Sequence, residues 1–408
     1  LDGIPQGGCA VDFFEALDAG CAWPLDERKR YLLMDKVIVF CVDWFHPAIQ
    51  AGGPINSVMK IGQLLAEKAK VYIITSNTDL DGSLLDVETG NWTDYSKNTW
   101  VCYLDRSQQS PQNLSQILRS LDCDILYLNS MFSIRFTILP TILNKFFGRA
   151  KVILAPRGML GRGALSFKYY KKLLFLRLSL LTGFFSNMRW HASTRLEKRE
   201  IEKYFPAAEV HIAKNIPNVT PQARMELHPG NARRFIFSGR INRKKNIAFA
   251  LSVLSKMSVP VNVDFVIVGP IEDEQYAEEI YRLAKSAPNI RVRFLGVLNR
   301  EDLFKELRQS DCFILPTLHE NYGHSIVEAW ANSCPVIISN QTPWENLKFT
   351  GVGWDVPLDE DRWKDAFFEF FQLDLHQRVK LSDRCRDFFQ KEVYTELDNN
   401  ANLTLFDL

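Results

Sequence analysis

The sequence predicts an α/β fold made of two Rossmann-like, doubly wound domains that face each other across a cleft. At 408 residues the chain is too long for one ordinary hydrophobic core. Short apolar runs alternate with segments of helical period, stop at a Pro- and Asn-rich stretch, and then start again. Apolar runs separated by helices are typical of parallel strands that are buried on both faces of the sheet.

The first series of apolar runs predicts the strands of an N-terminal, acceptor-side domain over residues 34–217. These runs are VIVFCV (37–42), VYIITS (71–76), WVCYL (100–104), DILYLN (124–129), KVILAP (151–156), MRWHAS (188–193) and EVHIAK (209–214). Segments near 55–68 and 111–121 have helical period and predict connecting helices.

The second series predicts a C-terminal domain over residues 233–408, after an interdomain linker at 218–232. Its runs are RFIFSG (234–239), VDFVIVG (263–269), RVRFLG (291–296), DCFILP (311–316) and CPVIIS (334–339). The segment that begins near residue 359 indicates helices.

Residues 1–33 have no clear period and carry Gly, Pro and charge throughout, whereas VIVFCV follows almost directly after Met34. We expect Met34 to be the natural start and the preceding residues to be an extension that is not native. A genuine N-terminal appendage is the alternative. The first residues also lack the basic-then-apolar pattern of a secretory signal.

The composition is that of a soluble globular protein, with 46% hydrophobic and 24% charged residues and a formal net charge of +1. This balance gives no general case for nucleic-acid binding. None of the eight cysteines forms a C-x-x-C pair, and Cys41, Cys123 and Cys312 lie in apolar runs. Buried free thiols in a reducing, cytoplasmic compartment explain this pattern better than disulfides or a metal site. No apolar run reaches the length of a transmembrane helix.

The loop after the DCFILP strand carries two acidic residues beside a predicted helix start. Glu320 lies in this loop, the helix begins near Gly323, and Glu328 lies within its first two turns. Free backbone N–H groups at a helix N-terminus suit a diphosphate, and two flanking carboxylates can accept hydrogen bonds from sugar and ribose hydroxyls. The alternative is an ordinary loop acid and an ordinary surface acid.

A basic segment, FSGRINRKKN (237–246), follows the first strand of the second series. Arg240 and Lys245 lie just past the strand end and could reach the same diphosphate. Their positive charge would stabilise a leaving nucleoside diphosphate without a metal ion. Solvated basic residues in a loop are the alternative.

Together, G-R-x(4)-K and E-N-Y-G-x(4)-E-A resemble the donor site of the retaining glycosyltransferases of family 4, which have the GT-B fold. The resemblance implies that Arg240 and Lys245 bind the donor diphosphate, that Glu320 contacts the donor sugar and that Glu328 contacts the ribose. It also implies that the backbone of Gly239, Asn321, Tyr322 and Gly323 lines the donor site.

The N-terminal half carries three further similarities to that family. Gly52 and Gly53 precede a predicted helix, where the family has a glycine pair that faces the donor. His191 in WHASTRLE corresponds to a family histidine near the donor sugar, and Arg157 in APRGML lies in a loop on the acceptor side. Most glycine pairs are turns, and an isolated histidine after a strand is more often structural.

No metal site or cofactor is expected. Asp122 and Asp124 spell D-x-D, the metal-binding motif of a different glycosyltransferase fold, but they lead into a strand. Asp79 and Asp81 lie in a predicted turn, and no His/Cys cluster has zinc spacing. The family that the motifs resemble does not require a metal ion for catalysis.

Charge is distributed unevenly along the chain. Residues 125–196 contain 12 Lys or Arg and no Asp or Glu, and within them SFKYYKKLLFLRLSLLTGFF (166–185) alternates basic, aromatic and aliphatic residues. A basic amphipathic helix of this kind suits an anionic membrane surface. The alternative is a buried helix with a solvated basic edge. Nucleic acid fits less well because no base-reading motif is present.

The resemblance implies glycosyl transfer from a nucleotide-sugar donor to a saccharide or lipid-diphosphate-linked acceptor, with retention, in surface polysaccharide assembly. The alternatives are a sugar-nucleotide epimerase or phosphorylase on the same fold, and a catalytically silent nucleotide-sugar-binding module. A dehydrogenase is disfavoured because no G-x-G-x-x-G follows a strand with an acidic residue about 20 positions on.

Overall fold

The computed structural model describes residues 36–50, 52–166, 169–225, 233–257, 262–286 and 290–408. The predicted extension at 1–33 lies outside the described residues, as does the second half of the predicted linker at 218–232. Within the described residues the chain forms two separate sheets, each flanked by helices. The two doubly wound α/β domains that the sequence predicts are therefore confirmed.

An eight-stranded sheet organises the N-terminal domain. Its strands are β1 (Val37–Val42), β2 (Lys70–Ser76), β3 (Trp92–Ser96), β4 (Thr99–Leu104), β5 (Ile125–Asn129), β6 (Lys151–Ala155), β7 (Arg189–Ala192) and β8 (Glu209–Ile212). The spatial order is β3-β4-β2-β1-β5-β6-β7-β8, and only β3 is antiparallel to its neighbour. The strand β3 was not predicted, because this partly exposed edge strand has no apolar run.

Six α-helices and one π-helical turn surround this sheet among the described residues. They are α1 (Gly53–Leu65), α2 (Pro111–Leu121), the turn at Ile134–Ile138, α3 (Leu139–Phe147), α4 (Arg162–Ser166), α5 (Tyr169–Leu181) and α6 (Arg195–Tyr204). Residues of β1 and β5 are almost completely buried because helices cover both faces of the sheet.

A six-stranded parallel sheet organises the second domain in the order β11-β10-β9-β12-β13-β14. Its strands are β9 (Arg233–Ser238), β10 (Val263–Val268), β11 (Ile290–Gly296), β12 (Cys312–Leu315), β13 (Val336–Ser339) and β14 (Gly353–Val356). Its helices are α7 (Ile247–Lys256), α8 (Glu274–Ser286), α9 (Arg300–Gln309), α10 (His324–Ala331), α11 (Leu347–Thr350), α12 (Glu360–Gln372) and α13 (Leu375–Phe388). Aromatic packing closes its core, where Phe235 of β9 contacts Phe367 and Phe370 of α12.

The last helix, α14 (Glu396–Leu405), packs on the N-terminal domain. Leu405 and Phe406 are buried in the N-terminal core, and the ring of Phe406 lies 6.1 Å from Phe40 and 5.4 Å from Tyr127. The sequence-based boundary assigns residues 233–408 to the C-terminal domain, but the structure places residues 396–408 with the other domain. The reason is that the apolar side of α14 is buried against α1 and the first sheet.

The described cysteines are all free thiols. Five of them are buried and Cys123 is partly exposed. Cys41 lies in β1 and Cys312 in β12, as predicted, whereas Cys123 precedes β5. In the part of the chain that the structure describes, no helix is both long enough and apolar enough to span a bilayer.

Candidate functional site

The site forms where the loop between β12 and α10 meets the N-terminal domain. Gly323 is the N-cap of α10, with a φ of 80°, and the helix begins at His324, as the sequence predicts. The loop is anchored to the next strand connection, because Glu320 donates its N–H to the Gln341 carbonyl (2.8 Å) and the Tyr322 carbonyl accepts from the Trp344 indole (2.5 Å). The N-terminus of α10 is therefore held in a fixed position in the cleft.

Lys245 and Glu320 form an ion pair in this cleft. Lys245 Nζ lies 2.5 Å from Glu320 Oε2, and the two side chains are only 14% and 17% exposed. Burial alone raises the pKa of Glu320, but the charges of Lys245 and Lys244 and the hydrogen bond from Lys245 outweigh it, so the pKa lies below its ordinary value. The structure thus brings together two residues 75 positions apart that the sequence analysis had selected separately.

Lys244 is a further cation that the sequence analysis did not select. Burial lowers the pKa of Lys244, while the nearby carboxylates of Glu320 and Glu200 act in the opposite direction. Its neighbourhood was not predictable from the motif, because Glu200 comes from α6 of the other domain. The Lys244 carbonyl also accepts from the N–H of Leu318, which ties the loop after β9 to the loop after β12 (2.8 Å).

Arg240 lies at the more exposed edge of the same site. Its Nη1 is 3.2 Å from Glu272 Oε1, in the loop after β10, and both side chains are about four-tenths exposed. Gly239, directly before Arg240, adopts a φ of 152°. Its backbone lies so close to Gly269 that a Cβ on Gly269 would be 2.0 Å from the Gly239 carbonyl oxygen. The β9 and β10 loop backbones therefore pack without side chains between them, and Arg240 remains accessible for an anionic ligand.

Glu328 lies in the second turn of α10, next to a basic residue of α9. Burial raises the pKa of Glu328 to about 7, and the charge of Arg300 opposes that rise. Lys60 of α1 is close enough to Arg300 for their charges to interact, and its pKa is lowered mainly by burial. A carboxyl group with a pKa near neutrality can accept or donate a hydrogen bond to a ligand hydroxyl. Arg300 and Lys60 are additional residues that the motifs do not contain.

Gly53 is required by space at the domain interface. A Cβ on this glycine would lie 2.4 Å from Cδ2 of His324, the first residue of α10. His324 Nε2 also lies 3.1 Å from Ser57 Oγ of α1, and burial lowers the pKa of His324 to about 4. Gly52, with a φ of 68°, is the N-cap of α1 and has open space around its Cα. The glycine pair thus lies opposite α10.

Asn321 bridges the two domains. Its Nδ2 donates to Ser193 Oγ (3.0 Å) and Glu197 Oε2 (3.2 Å), while Glu197 Oε1 accepts the N–H of Gly158 (2.6 Å). A Cβ on Gly158 would lie 2.6 Å from Asn321 Cβ. The neighbouring Tyr322 is 3% exposed, and its ring packs edge-on against Trp344. Burial raises the pKa of Tyr322 above its ordinary range.

His191 lies inside the N-terminal domain and is 1% exposed. Both ring nitrogens are engaged: Nδ1 lies 2.8 Å from the Tyr127 hydroxyl and Nε2 lies 2.8 Å from the Ala213 carbonyl. Burial, reinforced by the charge of Arg157, lowers the pKa of His191 to about 3. The structure therefore gives His191 no free nitrogen for the donor sugar, and its contacts are those of a core histidine.

Arg157 is also held within the N-terminal domain. Its guanidinium donates to Asn129 Oδ1 (2.7 Å), Asn215 Oδ1 (2.5 Å) and the Tyr127 hydroxyl (2.7 Å), and its φ is 56°. The next residue, Gly158, touches Asn321 across the cleft. Arg157 thus fixes the loop that meets Asn321 in the loop after β12.

The acidic pairs that the sequence analysis set aside have structural contacts. Asp122 is the C-cap of α2, and Asp124 accepts the N–H of Val37. Asp79 accepts the N–H groups of Ile49 and Gln50 and so anchors the loop before the glycine pair, a role that the turn prediction missed. Among the residues that the structure describes, no group of three or more His, Cys, Asp or Glu could hold a metal ion.

The loops after β9 and β12 bring two cations and Glu320 close to the N-terminus of α10, and Glu328 lies in the second turn of that helix. Lys245 and Arg240 can neutralise a diphosphate, the N–H groups of α10 can bind its oxygens, and Glu320 and Glu328 can bind hydroxyls on either side of it. These are the requirements of a site for a nucleoside diphosphate joined to a sugar.

Comparison with known proteins identifies the class of this fold. The sucrose-phosphate synthase of Thermosynechococcus elongatus superposes with a TM-score of 0.67 at 16% identity, covering 91% of this chain and 98% of that chain. HepE of Anabaena, solved with UDP and glucose, gives a TM-score of 0.67 at 14% identity, covering 91% and 100%. The chain has the GT-B fold of these glycosyltransferase structures.

A family model matches the segment that carries most of the site. Residues 219–346 match the family described as glycosyl transferases group 1, and this segment contains Arg240, Lys245, Glu320 and Glu328. The GDP-Man:Man(3)GlcNAc(2)-PP-Dol alpha-1,2-mannosyltransferase of Caenorhabditis elegans is 28% identical over 161 residues, which are 37% of this chain. The chain spans only 27% and 33% of the lengths of the curated relatives it matches. Over this segment the resemblance of the motifs to group 1 glycosyltransferases with the GT-B fold is confirmed, whereas retention of configuration stays a prediction.

Proposed function

We propose that this chain transfers a hexosyl unit from a nucleotide-sugar to a saccharide or lipid-diphosphate-linked saccharide, with retention of configuration, in surface polysaccharide assembly. The observation that carries the proposal is the buried Lys245–Glu320 pair beside the N-terminus of α10. HepE was solved with UDP and glucose, and the worm mannosyltransferase acts on a dolichol-diphosphate-linked glycan by name. Both names support this pair of substrate classes.

In the proposed reaction the bond between the anomeric carbon and the diphosphate oxygen breaks, a bond from the anomeric carbon to an acceptor hydroxyl oxygen forms, and the proton of that hydroxyl passes to the leaving diphosphate. Negative charge develops on the leaving diphosphate, where Lys245 and Arg240 stabilise it without a metal ion. Glu320 holds Lys245 in place and accepts a hydrogen bond from a sugar hydroxyl, and Glu328 binds the ribose. Activity that persists in excess EDTA would support this role of the cations, and loss of activity with recovery on adding Mg²⁺ would refute it.

The first test is a thermal-shift screen against UDP, GDP, ADP, CMP and their common sugar conjugates. A nucleotide at about 100 times its Kd is expected to stabilise the protein by about 2.7 kcal/mol. Arg240→Ala and Glu320→Ala should blunt that shift. Arg243→Ala is the matched control, because Arg243 lies in the same loop but pairs with Asp273 and Glu279. A shift that the two site variants leave unchanged, or no shift with any nucleotide, would refute the proposed donor site.

We also propose peripheral binding to an anionic membrane, through a surface formed by the C-terminal end of α3 and the exposed side of α5. Lys145 Nζ contacts the Gly183 carbonyl (3.2 Å), so the two ends adjoin. Exposed apolar side chains here include Phe146 and Phe147 of α3 together with Tyr170, Leu174, Leu178 and Leu181 of α5, with Tyr170 84% and Leu181 81% exposed. Exposed basic residues, including Lys171 and Arg177, lie among them.

This surface differs from the predicted amphipathic helix at 166–185. Residues 167 and 168 lie outside the described residues, and α5 runs from Tyr169 to Leu181. Only Leu176 and Ser179 of α5 are buried, so apolar and basic side chains share the exposed side instead of forming opposite faces. An exposed apolar cluster interspersed with basic residues favours an interface with anionic lipid over plain solvent.

Co-sedimentation with vesicles tests the membrane proposal. Vesicles containing phosphatidylglycerol should retain the protein at low salt, and phosphatidylcholine vesicles should not. Leu174→Ser with Leu181→Ser is expected to abolish retention. Phe349→Ser is the control, because Phe349 is even more exposed, at 92%, but lies on α11 of the other domain. Equal retention of all variants would rule out this surface.

A further inference from the structure

A large cavity lies beside the donor loop and is lined by both domains. Its volume is about 1040 Å³. One wall is α6 with the loop after β6, and the opposite wall is formed by the segments after β12 and β13, including His319 and Trp344. The sequence analysis did not assign a function to α6. A cavity of this size is large enough to hold a drug-sized or larger ligand.

One face of α6 gives this cavity a basic stripe. Arg195, Arg199 and Lys203 follow a spacing of four residues, so they lie above one another on the helix, and all three line the cavity. None of the ion pairs in the described part of the chain includes any of them. In contrast, Lys214, which also lines the cavity, is paired with Asp398 at 3.2 Å.

The cavity also contains buried polar groups whose hydrogen bonds are unmet. His319 is 8% exposed, and its Nε2 has no hydrogen-bond partner among the described residues. The same is true of Glu200 Oε2, while Glu200 Oε1 lies 4.0 Å from His319 Nε2. Buried polar atoms without partners are unfavourable in a native protein, and a ligand that supplies the partners accounts for their presence.

These polar groups adjoin the donor site. Lys244 lies in the electrostatic field of both Glu200 and Glu320, and His319 precedes Glu320 in the chain. A Cβ on Gly161 would lie 2.4 Å from His319 Nε2 and 2.9 Å from Glu200 Oε1, so the loop after β6 approaches this pair by its backbone. Burial and the charge of Glu197 raise the pKa of Glu200 to about 7, so Glu200 can donate as well as accept near neutral pH.

We propose that this cavity binds the acceptor, and that the acceptor is a saccharide carrying a phosphoryl group. Arg199 and Lys203 bind the phosphoryl group. Glu200 and His319 bind the sugar hydroxyls. The inference rests on the proposed glycosyl transfer, because it places the acceptor relative to the donor site. Two cations one helical turn apart, neither of them in an ion pair among the described residues, suit a phosphate or diphosphate, although Lys203 also lies over the Tyr204 ring. Glu200 Oε2 and His319 Nε2, which have no hydrogen-bond partner among the described residues, suit hydroxyl groups.

The test is calorimetric titration of the full chain with the nucleotide site saturated by the nucleoside diphosphate from the thermal-shift screen. The probes are glucose, glucose 1-phosphate and glucose joined to farnesol through a diphosphate. We expect the phosphorylated probes to bind at least tenfold more tightly than glucose. Arg199→Gln with Lys203→Gln should reduce their affinity at least tenfold and leave that of the nucleotide unchanged. Lys198→Gln is the matched control, because Lys198 is on α6 but pairs with Glu202.

Glu200→Gln should lower the affinity for glucose and for the phosphorylated probes by similar factors, because the substitution removes a contact to a sugar hydroxyl and leaves the basic stripe intact. Tighter binding of the farnesyl probe than of glucose 1-phosphate would identify a lipid diphosphate as the source of the phosphoryl group, and equal binding would identify a soluble sugar phosphate. Binding that the double variant does not change, that Lys198→Gln weakens equally, or that does not distinguish glucose from its phosphate would overturn the proposal.

Failure of the proposed function gives a different result. If no nucleotide binds, the glycosyltransferase proposal fails, whereas titration of the same probes in the absence of nucleotide still reports on the cavity. If nucleotide binds but competes with the phosphorylated probes, the donor site remains supported and the separate acceptor cavity is refuted.

Discussion

Substitution of Lys245 by methionine tests how the proposed donor site stabilises the buried charge of Glu320. The variant keeps most of the side-chain volume but leaves the Glu320 carboxylate without the cation that lies 2.5 Å away. Removing one partner of a buried ion pair typically destabilises by about 3–5 kcal/mol. We expect the lower end, about 3 kcal/mol, because both side chains retain some exposure and Lys244 remains close.

The loss should depend on pH with a defined sign. In the wild type the pKa of Glu320 is depressed, so its contribution to stability is present above the unfolded pKa and is lost as pH falls through the folded pKa. In Lys245→Met the charge of Lys245 no longer opposes the effect of burial, so the pKa of Glu320 rises. Glu320 can then take up a proton as pH falls, and this removes the unpaired charge. The difference between wild type and variant should therefore be largest near pH 8 and smaller near pH 5.

Thermal and urea unfolding at both pH values measure this effect. A loss of about 3 kcal/mol corresponds to a Tm decrease of about 6–12 °C for a domain of this size. The double variant Lys245→Met with Glu320→Gln should recover most of the loss, and Arg243→Met, in the same loop but exposed, should change little. A small effect in Lys245→Met, or a double variant as unstable as the sum of the single variants, would show that the pair is not a buried charge pair in solution.

Three further predictions address the interface, the second carboxyl group and the crossing helix. Gly53→Ala should lower turnover without unfolding the protein, because the added Cβ would meet His324. Gly62→Ala, whose Cβ has room, should stabilise α1 by about 0.5–1 kcal/mol. Equal kinetics in the two variants would contradict this prediction. In the wild type the raised pKa of Glu328 should make the free energy of unfolding decline between about pH 4.5 and 7, because the neutral carboxyl group is favoured in the folded state and is lost as pH rises through 7. Glu328→Gln should flatten this decline. An unchanged pH profile of the unfolding free energy would contradict the prediction. Phe406→Ala should destabilise the N-terminal domain by about 3–5 kcal/mol in urea unfolding, and a loss confined to the C-terminal domain would refute the placement of α14.

The fold was predictable because both domains use buried parallel strands, which leave continuous apolar runs in the sequence. The donor loop was predictable for a similar reason: the carboxyl ends of such strands are known once the strands are known. The edge strand β3 and the placement of α14 were not, because half-exposed strands and docking partners leave no local pattern.

The contacts of the buried site residues, and those between the two domains, could not be predicted from the sequence either. His191 follows a strand in the position that the family resemblance selects, yet its two nitrogens are engaged by Tyr127 and Ala213. Nothing in the local sequence shows that a tyrosine 64 positions earlier occupies one nitrogen. The proximity of Glu200 to Lys244 depends in the same way on how two domains meet, and pattern reasoning along one chain does not report that distance.

The return of α14 to the first domain has a consequence for synthesis. Leu405 and Phe406 fill the N-terminal core, yet the ribosome makes them after the entire second domain. The first domain can therefore acquire most of its secondary structure during translation but cannot complete its core until residues 396–408 have left the exit tunnel. Until then the surface around Phe40 and Tyr127 remains open, so the nascent chain offers a binding surface to chaperones that the finished protein does not have.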